Sequence, residues 1–442
     1  MHYTLTELPY AVDPLPRLDS VRPLGYPILL DSAAGPAPFS RYSILCAGPS
    51  ERIEPLPDES GEQTLHRIRV ALYDLGAPTW PGGIDLPFGA GAVGYLAYDF
   101  ARRLERLPHQ ASLDVDFPDL GLGIYLWSVV SDHLLRKCWL VAHPALPVDT
   151  HHTVLERLRG TDQDLQPFAL ASAFAADQPQ HQYRAAFERI QSYIHAGDCY
   201  QINLAQRFRA QCEGDSLGAY ARLRKACPTP FSAYMELAAG SVMSLSPERF
   251  LQLRDGVVET RPIKGTRPRG RARNEDEMLA RQLQESAKDR AENVMIVDLL
   301  RNDLSKTCSP GSVRVPELFA VESYPNVHHL VSSVRGQLAP GEDALSLLAG
   351  AFPGGSITGA PKIRAMQIIE ELEPVRRSLY CGSIGYIGCE GQMDMNIAIR
   401  TLLRQGDELF LWGGGGIVAD SEMDSEYQET LTKVRMLMEA LG

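Results

Sequence analysis

Residues 261–270 combine prolines and glycines around one central lysine, Lys264. Pro262 and Pro268 fix φ, whereas Gly265 permits backbone angles that other residues avoid. The segment follows a strand-like run over residues 250–253 and an Asp-Gly turn signal. A lysine before a glycine at a strand exit can be held in a cleft beside backbone that is open to a ligand. The alternative is a solvated basic loop, because three arginines lie in the same segment.

Length and charge limit the classes of protein to which this chain can belong. With 442 residues it can bury a large core, which predicts about two or three domains or one large body. An apolar fraction of 44% and a charged fraction of 22% are ordinary for a soluble globular protein. A net charge of −12 disfavours a general nucleic-acid binder, but it is compatible with a local basic site for a small anion.

Targeting and redox signals favour an intracellular protein. No apolar stretch approaches the roughly 20 residues that span a bilayer, and residues 1–14 show no secretory pattern. The eight cysteines are scattered without a Cys-x-x-Cys pair, so neither a zinc site nor a disulfide framework is indicated. These features predict a protein of the reducing cytoplasm with no membrane partner.

Apolar patterning predicts strands and helices mixed along the whole chain. Helical spacing predicts helices over residues 182–195 and 363–372, and a polar, glutamine-rich linker is expected at 165–181. The segments interpreted as strands are 26–32, 39–45, 121–127, 139–143, 200–208, 241–250 and 408–412.

Two predicted helices each carry a pair of carboxylates. Asp289 and Glu292 lie three apart beside residues 291–300, which are apolar nearly all round a helix and are therefore expected to be buried. Near the end of the chain, Glu426 and Glu429 lie three apart, on a different helical face from an apolar stripe. Two such pairs can hold one hard divalent ion such as Mg²⁺, although each pair alone also fits a solvated face or a salt bridge.

Two glycine-rich segments, residues 353–362 and 413–421, are interpreted as loops whose backbone N–H groups can bind a carboxylate or phosphate. Neither has the spacing of a nucleotide P-loop. Between them, residues 397–401 are interpreted as a strand with Arg400 near its end, where a guanidinium can grip a carboxylate with two hydrogen bonds. Together these features suit a small polycarboxylate.

Several of these motifs, in this order, resemble the chorismate-utilising enzymes. The resemblance covers residues 180–440 and implies that they form the chorismate-binding catalytic region. Residues 1–170 resemble the N-terminal region of the amidotransferase-linked members. The implied fold is a single α/β (α+β) body, in which two antiparallel-rich sheets pack as a sandwich with helices outside. The segments that carry the resemblance are Pro-Ile-Lys-Gly-Thr at 262–266, 292–303, 357–362, 399–401, 413–421 and 426–433.

Lys264 separates the branches of this family, because anthranilate synthases typically carry alanine there and aminodeoxychorismate synthases carry lysine. The resemblance therefore implies the branch that makes 4-amino-4-deoxychorismate for p-aminobenzoate and folate synthesis. In that branch Lys264 would be the nucleophile and Glu248 the general acid. His329 matches a histidine assigned to acid chemistry, with a structural role as the alternative. Anthranilate synthase, isochorismate synthase and a regulatory amino-acid-binding subunit remain alternatives for the whole chain.

The resemblance also implies a metal, a substrate site and partners. Glu292 and Glu429 would bind Mg²⁺ directly, with Asp289 and Glu426 nearby or acting through water. Ammonia would come from a separate glutaminase subunit, because no Cys-His-Glu glutaminase pattern is evident in the chain. The positions that match contacts to chorismate are Ser356, Tyr380, Arg400, Gly415, Gly416 and Lys433.

A second pocket is implied in the first half of the chain by a resemblance to the tryptophan-binding segment of the family. A serine and backbone groups can pair with the charged ends of an amino acid, while aromatic rings supply apolar walls for an indole. The alternative is core packing between the two regions. The residues of this effector pocket are Ser32, Phe39, Ser40, Arg41, Tyr42, Pro230, Phe231 and Ser232.

Overall fold

Short alternating segments form strands in the computed structural model, which describes residues 1–32, 40–160, 165–324 and 327–442. The first strands are β1 (Thr4–Leu8), β2 (Ile28–Asp31), β3 (Tyr42–Cys46), β4 (Glu51–Ile53), β5 (Gly91–Leu96), β6 (Leu120–Tyr125), β7 (Trp127–Asp132), β8 (Lys137–Ala142), β9 (Phe168–Leu170), β10 (Ala175–Ala176) and β11 (Gln201–Gly214). They are followed by β12 (Phe231–Leu237), β13 (Gly240–Ser246), β14 (Arg249–Arg254), β15 (Val257–Thr260), β16 (Ile263–Pro268), β17 (Arg314–Ser323), β18 (Val327–Gln337), β19 (Gly359–Ala360), β20 (Ser383–Gly388), β21 (Met393–Asn396), β22 (Thr401–Gln405) and β23 (Glu408–Ile417).

Some of the helices begin at a side chain that caps their first turn. The helix that carries Glu292 begins after Ser286, whose hydroxyl accepts a hydrogen bond of 3.3 Å from the Asp289 N–H. Short 3₁₀ turns cover Arg22–Leu24, Tyr98–Phe100 and Gly355–Ile357. The α-helices are α1 (Leu15–Val21), α2 (Gly61–Leu75), α3 (Ala101–Leu104), α4 (Val148–Arg159), α5 (Gln180–His195), α6 (Ser216–Ala226), α7 (Arg273–Glu285), α8 (Ala287–Ser305), α9 (Ala344–Ala351), α10 (Lys362–Leu372) and α11 (Met423–Leu441).

The strands pair antiparallel and build two sheets. The first has 13 strands in the order β1–β8–β7–β3–β2–β12–β13–β22–β23–β11–β10, with β9 and β19 also paired with β11. The second has 10 strands in the order β16–β18–β15–β14–β21–β20–β5–β6–β4, with β17 paired with β18. Both sheets contain strands from before residue 170 and from after residue 180, so the two sequence regions share them.

The two sheets enclose a common apolar core. Ile44 and Val242 of the first sheet are buried in the same cluster as Val93 and Phe250 of the second. A second cluster, which includes Leu411 of β23, packs the first sheet against α6 and α11. This arrangement confirms the sandwich with helices outside that the family resemblance implies. In the described part of the chain, no helix combines the length and apolar character that a membrane crossing requires.

The chain passes from one sheet to the other between β13 and β14. β13 ends at Ser246 in the first sheet, and β14 begins at Arg249 in the second. The sequence interpretation treated residues 241–250 as one strand region, but Glu248 lies in the crossing between two strands. Its carboxyl is therefore presented between the sheets, where it is buried.

Three further secondary-structure predictions are wrong. Residues 413–416 belong to β23 and are not a loop, because they pair with β11, and their glycines let neighbouring segments approach the strand. A Cβ at Gly413 would lie 2.5 Å from the Thr430 carbonyl oxygen. Residues 397–400 are not a strand, and Arg400 has a φ of +52°. The expected linker at 165–181 contains β9 and β10, which pair with β11.

The burial expected for the two acidic helices also needs correction. α8 packs on one side only, so Ile296 is fully buried while Val294 is 41% exposed. On α11, Glu426 lies on the buried face with Val434 instead of on a separate face. Glu429 is exposed, in line with the different helical face predicted for it.

Candidate active site

A β-bulge holds Lys264 in the edge strand of the second sheet. β16 pairs with β18 at Ile263 and again from Thr266, and the register shifts between them, so Lys264 and Gly265 fall in the bulge. Gly265 has a φ of +85°, and a Cβ there would lie 2.9 Å from the Asp289 carboxyl carbon. The glycine is therefore required both by its backbone angle and by the close approach of α8.

The arginines around Lys264 are paired, which argues against a loosely solvated basic loop. Lys264 itself forms no ion pair with any described carboxylate, and its Nζ donates to the Ser356 carbonyl oxygen over 3.3 Å. Its ammonium is thus left for other interactions. The arginine pairs are Arg261 with Glu317 (2.8 Å), Arg267 with Asp289 (3.0 Å) and Arg269 with Asp276 (2.7 Å).

Burial lowers the pKa of the Lys264 ammonium below its ordinary value. The carboxylates of Glu292, Glu248 and Glu429 act in the opposite direction, and the Lys433 ammonium adds to the lowering. A lysine must be neutral to act as a nucleophile. The environment of Lys264 therefore increases the fraction that can react.

Glu248 faces Lys264 from the crossing between the sheets. Its Oε1 accepts a hydrogen bond of 2.8 Å from the Ser356 hydroxyl, and the Ser356 carbonyl accepts the bond from Lys264. Burial raises the pKa of the Glu248 carboxyl, although the Ser356 hydroxyl and the Lys264 ammonium oppose the rise. A carboxyl with a raised pKa can deliver a proton to a leaving group, so Glu248 suits a general acid.

Glu292, on α8, is a half-buried carboxylate. No described donor or cation lies within hydrogen-bond or ion-pair distance of it, and burial raises its pKa. The Lys264 and Lys288 ammoniums lower this pKa, while the charge of Glu429 on α11 raises it further. Mutually repelling carboxylates in a partly desolvated site are groups that a divalent cation neutralises.

α11 supplies the other carboxylates of this group. Burial raises the pKa of Glu426, whose Oε1 accepts a bond of 2.6 Å from the Ser421 hydroxyl. The pKa of Glu429 is lowered overall. Burial acts to raise it, but the Lys433 ammonium, 2.6 Å away, and other nearby lysines outweigh that effect. A Cβ at Gly415 would lie 3.3 Å and 3.4 Å from oxygens of Glu426 and Glu429, so β23 approaches both side chains closely.

These carboxylates fit a hard cation that keeps water and substrate ligands. Within residues 1–32, 40–160, 165–324 and 327–442, no group of three or more His, Cys, Asp or Glu side chains meets in a closed metal cage. Mg²⁺ requires only one or two protein carboxylates besides waters and substrate oxygens, which Glu292 and Glu429 can provide. Asp289 is engaged by Arg267, so a direct metal bond there would have to replace an ion pair.

Two groups of the site were missed by the sequence interpretation. Lys288 lowers the pKa of Glu292, Glu426 and Glu429. Its i,i+4 spacing from Glu292 was the signal that could have found it. The Gly414 carbonyl accepts a bond of 2.9 Å from Lys433 Nζ, and no sequence signal marks that carbonyl.

His329 is buried beside the strand that carries Lys264. Its Nδ1 lies 2.9 Å from the Thr266 hydroxyl. Burial, helped by the charge of Arg400, lowers the pKa of His329 to about 3. The imidazole is therefore neutral near pH 7, which favours the structural alternative over a role as an imidazolium acid.

Tyr380 lies just before β20, and Arg400 lies just before β22. The Tyr380 ring stacks on Trp412 at 6.1 Å and 7°, and a Cβ at Gly414 would lie 2.9 Å from the Tyr380 hydroxyl. Arg400 is half-buried, its Nη1 lies 3.8 Å from Cys227 Sγ, and it has no ion-pair partner among the described carboxylates. Its guanidinium is available for a substrate carboxylate.

A separate cavity of about 310 Å³ lies between the two sheets. Its lining includes most of the residues predicted for the effector pocket. Ser40 is buried but does not line this cavity, and Phe39 lies outside the described residues. Charged groups such as Arg249 and Asp394 also line it. The predicted residues that line the cavity are Ser32, Arg41, Tyr42, Pro230, Phe231 and Ser232.

Comparisons with known proteins agree with this geometry. Residues 27–439 match the family model of chorismate binding enzymes. The chain is 44% identical over 432 residues to aminodeoxychorismate synthase component 1 of Salmonella typhimurium, covering 95% of this chain and 94% of that protein. It is 44% identical over 428 residues to the Escherichia coli protein of the same name, with coverages of 95% and 94%.

A solved structure is similar over nearly the same length. The anthranilate synthase component I from Streptococcus pneumoniae superposes with a TM-score of 0.80 at 31% identity, covering 91% of this chain and 92% of that one. The family match, the relatives and the shared fold all extend across both sheets. The chain therefore belongs to the family of chorismate binding enzymes.

Proposed function

We propose that this chain is component I of an aminodeoxychorismate synthase, which converts chorismate and ammonia to 4-amino-4-deoxychorismate. The observation that carries the proposal is Lys264, held in the bulge of the Pro-Ile-Lys-Gly-Thr segment with a lowered pKa and facing Glu248. Two relatives that are 44% identical bear this name. Residues 180–440 contain the whole proposed site and form its catalytic region, with residues 1–170 as the amidotransferase-linked region.

The proposed reaction exchanges a hydroxyl for an amino group in two displacements. The neutral Lys264 amine bonds to the chorismate ring, the ring double bonds shift, and the bond to the 4-hydroxyl breaks. Glu248 supplies the proton with which the hydroxyl leaves as water. Ammonia then bonds at C4, the double bonds shift back, the lysine leaves as a free amine, and the new ammonium group returns a proton to the Glu248 carboxylate. The sum exchanges ammonia for water, so no oxidant or reductant is needed.

The rest of the site would bind and orient the substrate. Glu292 and Glu429 would hold Mg²⁺, with Asp289 and Glu426 as supporting carboxylates. When bound, the cation supplies positive charge that neutralises substrate oxygens and the surrounding carboxylates. His329 would support the strand through Thr266. The groups that would contact chorismate are Ser356, Tyr380, Arg400, Gly415, Gly416 and Lys433.

The ammonia would come from a second protein. The relatives are numbered as component 1, which implies a further component. A glutaminase subunit that releases ammonia from glutamine fits this role. Free ammonium is expected to replace the partner in solution, because the lysine adduct needs only ammonia to complete the exchange.

Product identification tests the proposed function. The chain is incubated with chorismate, Mg²⁺ and ammonium, and the products are separated and identified by mass spectrometry. We expect 4-amino-4-deoxychorismate as the main product. Anthranilate or isochorismate would instead assign the chain to another branch of the family. Unchanged chorismate would favour a non-catalytic regulatory subunit.

We also propose that the cavity between the sheets binds L-tryptophan as a structural ligand. Ser32 and backbone groups would pair with the charged ends of the amino acid, and Tyr42 and Phe231 would flank the indole. Millimolar L-tryptophan is expected to raise the melting temperature by about 2 °C or more, because a ligand that binds the folded state stabilises it. Turnover is expected to change little.

Two serines provide a matched control for this pocket. Ser32→Ala is expected to reduce the shift, because Ser32 lines the cavity, whereas Ser40→Ala is expected to retain it. The absence of any shift in protein purified free of tryptophan would refute the pocket. A shift accompanied by strong inhibition would keep the pocket but favour the feedback-controlled anthranilate branch.

A further inference from the structure

A buried guanidinium, Arg377, lies directly behind two of the substrate positions. Its Nη1 donates to the carbonyl of Ile357, the residue after Ser356, over 3.0 Å. Its Nη2 donates to the carbonyl of Asn203 on β11 over 2.6 Å. Arg377 is 1% exposed, so these hydrogen bonds do not compete with bulk water. One side chain therefore ties the 3₁₀ turn Gly355–Ile357, called the Ser356 turn below, to the first sheet.

The same guanidinium also supports Tyr380. Its Cζ lies 4.8 Å from the ring centre of Tyr98 and 5.9 Å from that of Tyr380. The Tyr380 N–H donates to the Arg377 carbonyl over 3.0 Å, so the backbone of Tyr380 is held as well as its ring. The position of Tyr380 and the position of the Ser356 turn thus depend on one residue.

Glu373 neutralises and orients Arg377. Its two carboxylate oxygens accept bonds of 2.9 Å and 2.7 Å from Nε and Nη2, and Oε1 also accepts the Ala205 N–H over 2.9 Å. A buried ion pair contributes little net stability compared with well-packed apolar residues. Its presence between β11 and the Ser356 turn therefore points to a geometric requirement.

We propose that Arg377 is a positioning residue that holds Ser356 and Tyr380 in place for the reaction of chorismate. The inference rests on the proposed function, in which Glu248 and Lys264 carry the chemistry. Ser356 connects these two groups, because its hydroxyl donates to Glu248 and its carbonyl accepts from Lys264. Loss of the guanidinium fork would free the turn and separate the acid from the nucleophile.

The pKa of Glu248 depends on its hydrogen bond from the Ser356 hydroxyl. Hydrogen bonding from Ser356 lowers the pKa of Glu248 against the larger effect of burial, so loss of that bond raises the pKa. A general acid is active while protonated, and the descending limb of the kcat–pH profile then moves to higher pH. The groups that face the Glu248 carboxyl are the Ser356 hydroxyl, the Lys264 and Lys433 ammoniums, the Ile263 N–H and the Cys381 thiol.

Arg377→Lys tests the proposal because it keeps the charge beside Glu373 but removes the fork. We expect kcat to fall by about tenfold to a hundredfold, since a small misplacement of reacting groups has effects of that size. The descending limb is expected to move to higher pH, in the same direction as in Ser356→Ala. A merely structural role would lower the melting temperature without moving the limb.

Arg207→Lys is the matched control. Arg207 is an equally buried arginine of β11, and it pairs with Asp114 and Asp177 and not with the Ser356 turn. It is expected to lose stability while kcat and the pH limb are retained. If Arg377→Lys fails to fold, Glu373→Gln takes its place with the same expected shift.

An unmoved limb in a folded, active variant overturns the proposed role of Arg377. The limb is measured on chorismate consumption, whichever product forms. A shifted limb with a product other than 4-amino-4-deoxychorismate would overturn the proposed function and keep Arg377 as a positioning residue. The two failures are therefore distinguishable.

Discussion

Lys264→Ala is expected to lower the formation of 4-amino-4-deoxychorismate by about a thousandfold or more, because the reaction loses its nucleophile. The fold should remain intact, since Lys264 has one hydrogen bond and no ion pair with a described carboxylate. Residual turnover is expected to include anthranilate, because ammonia can then react without the lysine. The rate and products are measured with chorismate, Mg²⁺ and ammonium, and folding is checked by the melting temperature.

Two further lysine variants separate charge from nucleophilicity. Lys264→Arg keeps a positive charge but lacks a reactive amine near neutral pH, so it should be as inactive as the alanine variant. Lys225→Ala, at an exposed position in the last turn of α6, should retain activity. Full activity of a folded Lys264→Ala protein would contradict the proposed role of this residue.

Replacement of either proposed metal ligand by glutamine should nearly abolish Mg²⁺-dependent turnover at limiting metal. Glu292→Gln and Glu429→Gln each remove one of the two carboxylates that face each other from α8 and α11. We expect the apparent affinity for Mg²⁺ to fall by at least about tenfold, because even the supporting residues of metal sites have effects of that size. Turnover and the Mg²⁺-induced change in melting temperature are both titrated.

A third glutamate on α11 provides the control for these variants. Glu439→Gln removes an exposed carboxylate of the same helix, well beyond the group that includes Glu429, and should leave the metal titration unchanged. A glutamine variant that matches the wild-type chain at limiting Mg²⁺ shows that the replaced residue is not a ligand.

Much of the fold was predictable because local patterns coincide with tertiary needs. The helical spacing at 182–195 corresponds to α5 (Gln180–His195), and the run at 363–372 corresponds to α10. The constrained backbone around Lys264 also matches the structure, since Gly265 has the positive φ that only glycine adopts readily. Where backbone geometry or periodicity decided the outcome, the sequence was sufficient.

The remaining differences come from contacts between distant segments. Glycines 413–416 resemble a loop, but β11 supplies a strand partner, and α11 leaves no room for a Cβ at Gly413. Residues 291–300 of α8 are apolar nearly all round a helix in sequence, yet neighbours cover only one face, which the exposure of Val294 shows. Arg377 is marked in the sequence only by Glu373 four residues before it, because its two carbonyl partners lie 20 and 174 residues away.

The most direct test of the proposed chemistry is the covalent state of Lys264. The wild-type chain is mixed with chorismate and Mg²⁺ without ammonium, quenched, digested and mapped by mass spectrometry. We expect the peptide that contains Lys264 to carry the substrate minus one water, and we expect ammonium to discharge this adduct with release of 4-amino-4-deoxychorismate. An enzyme that forms the product with ammonium but never shows a modified Lys264 would contradict the proposed mechanism.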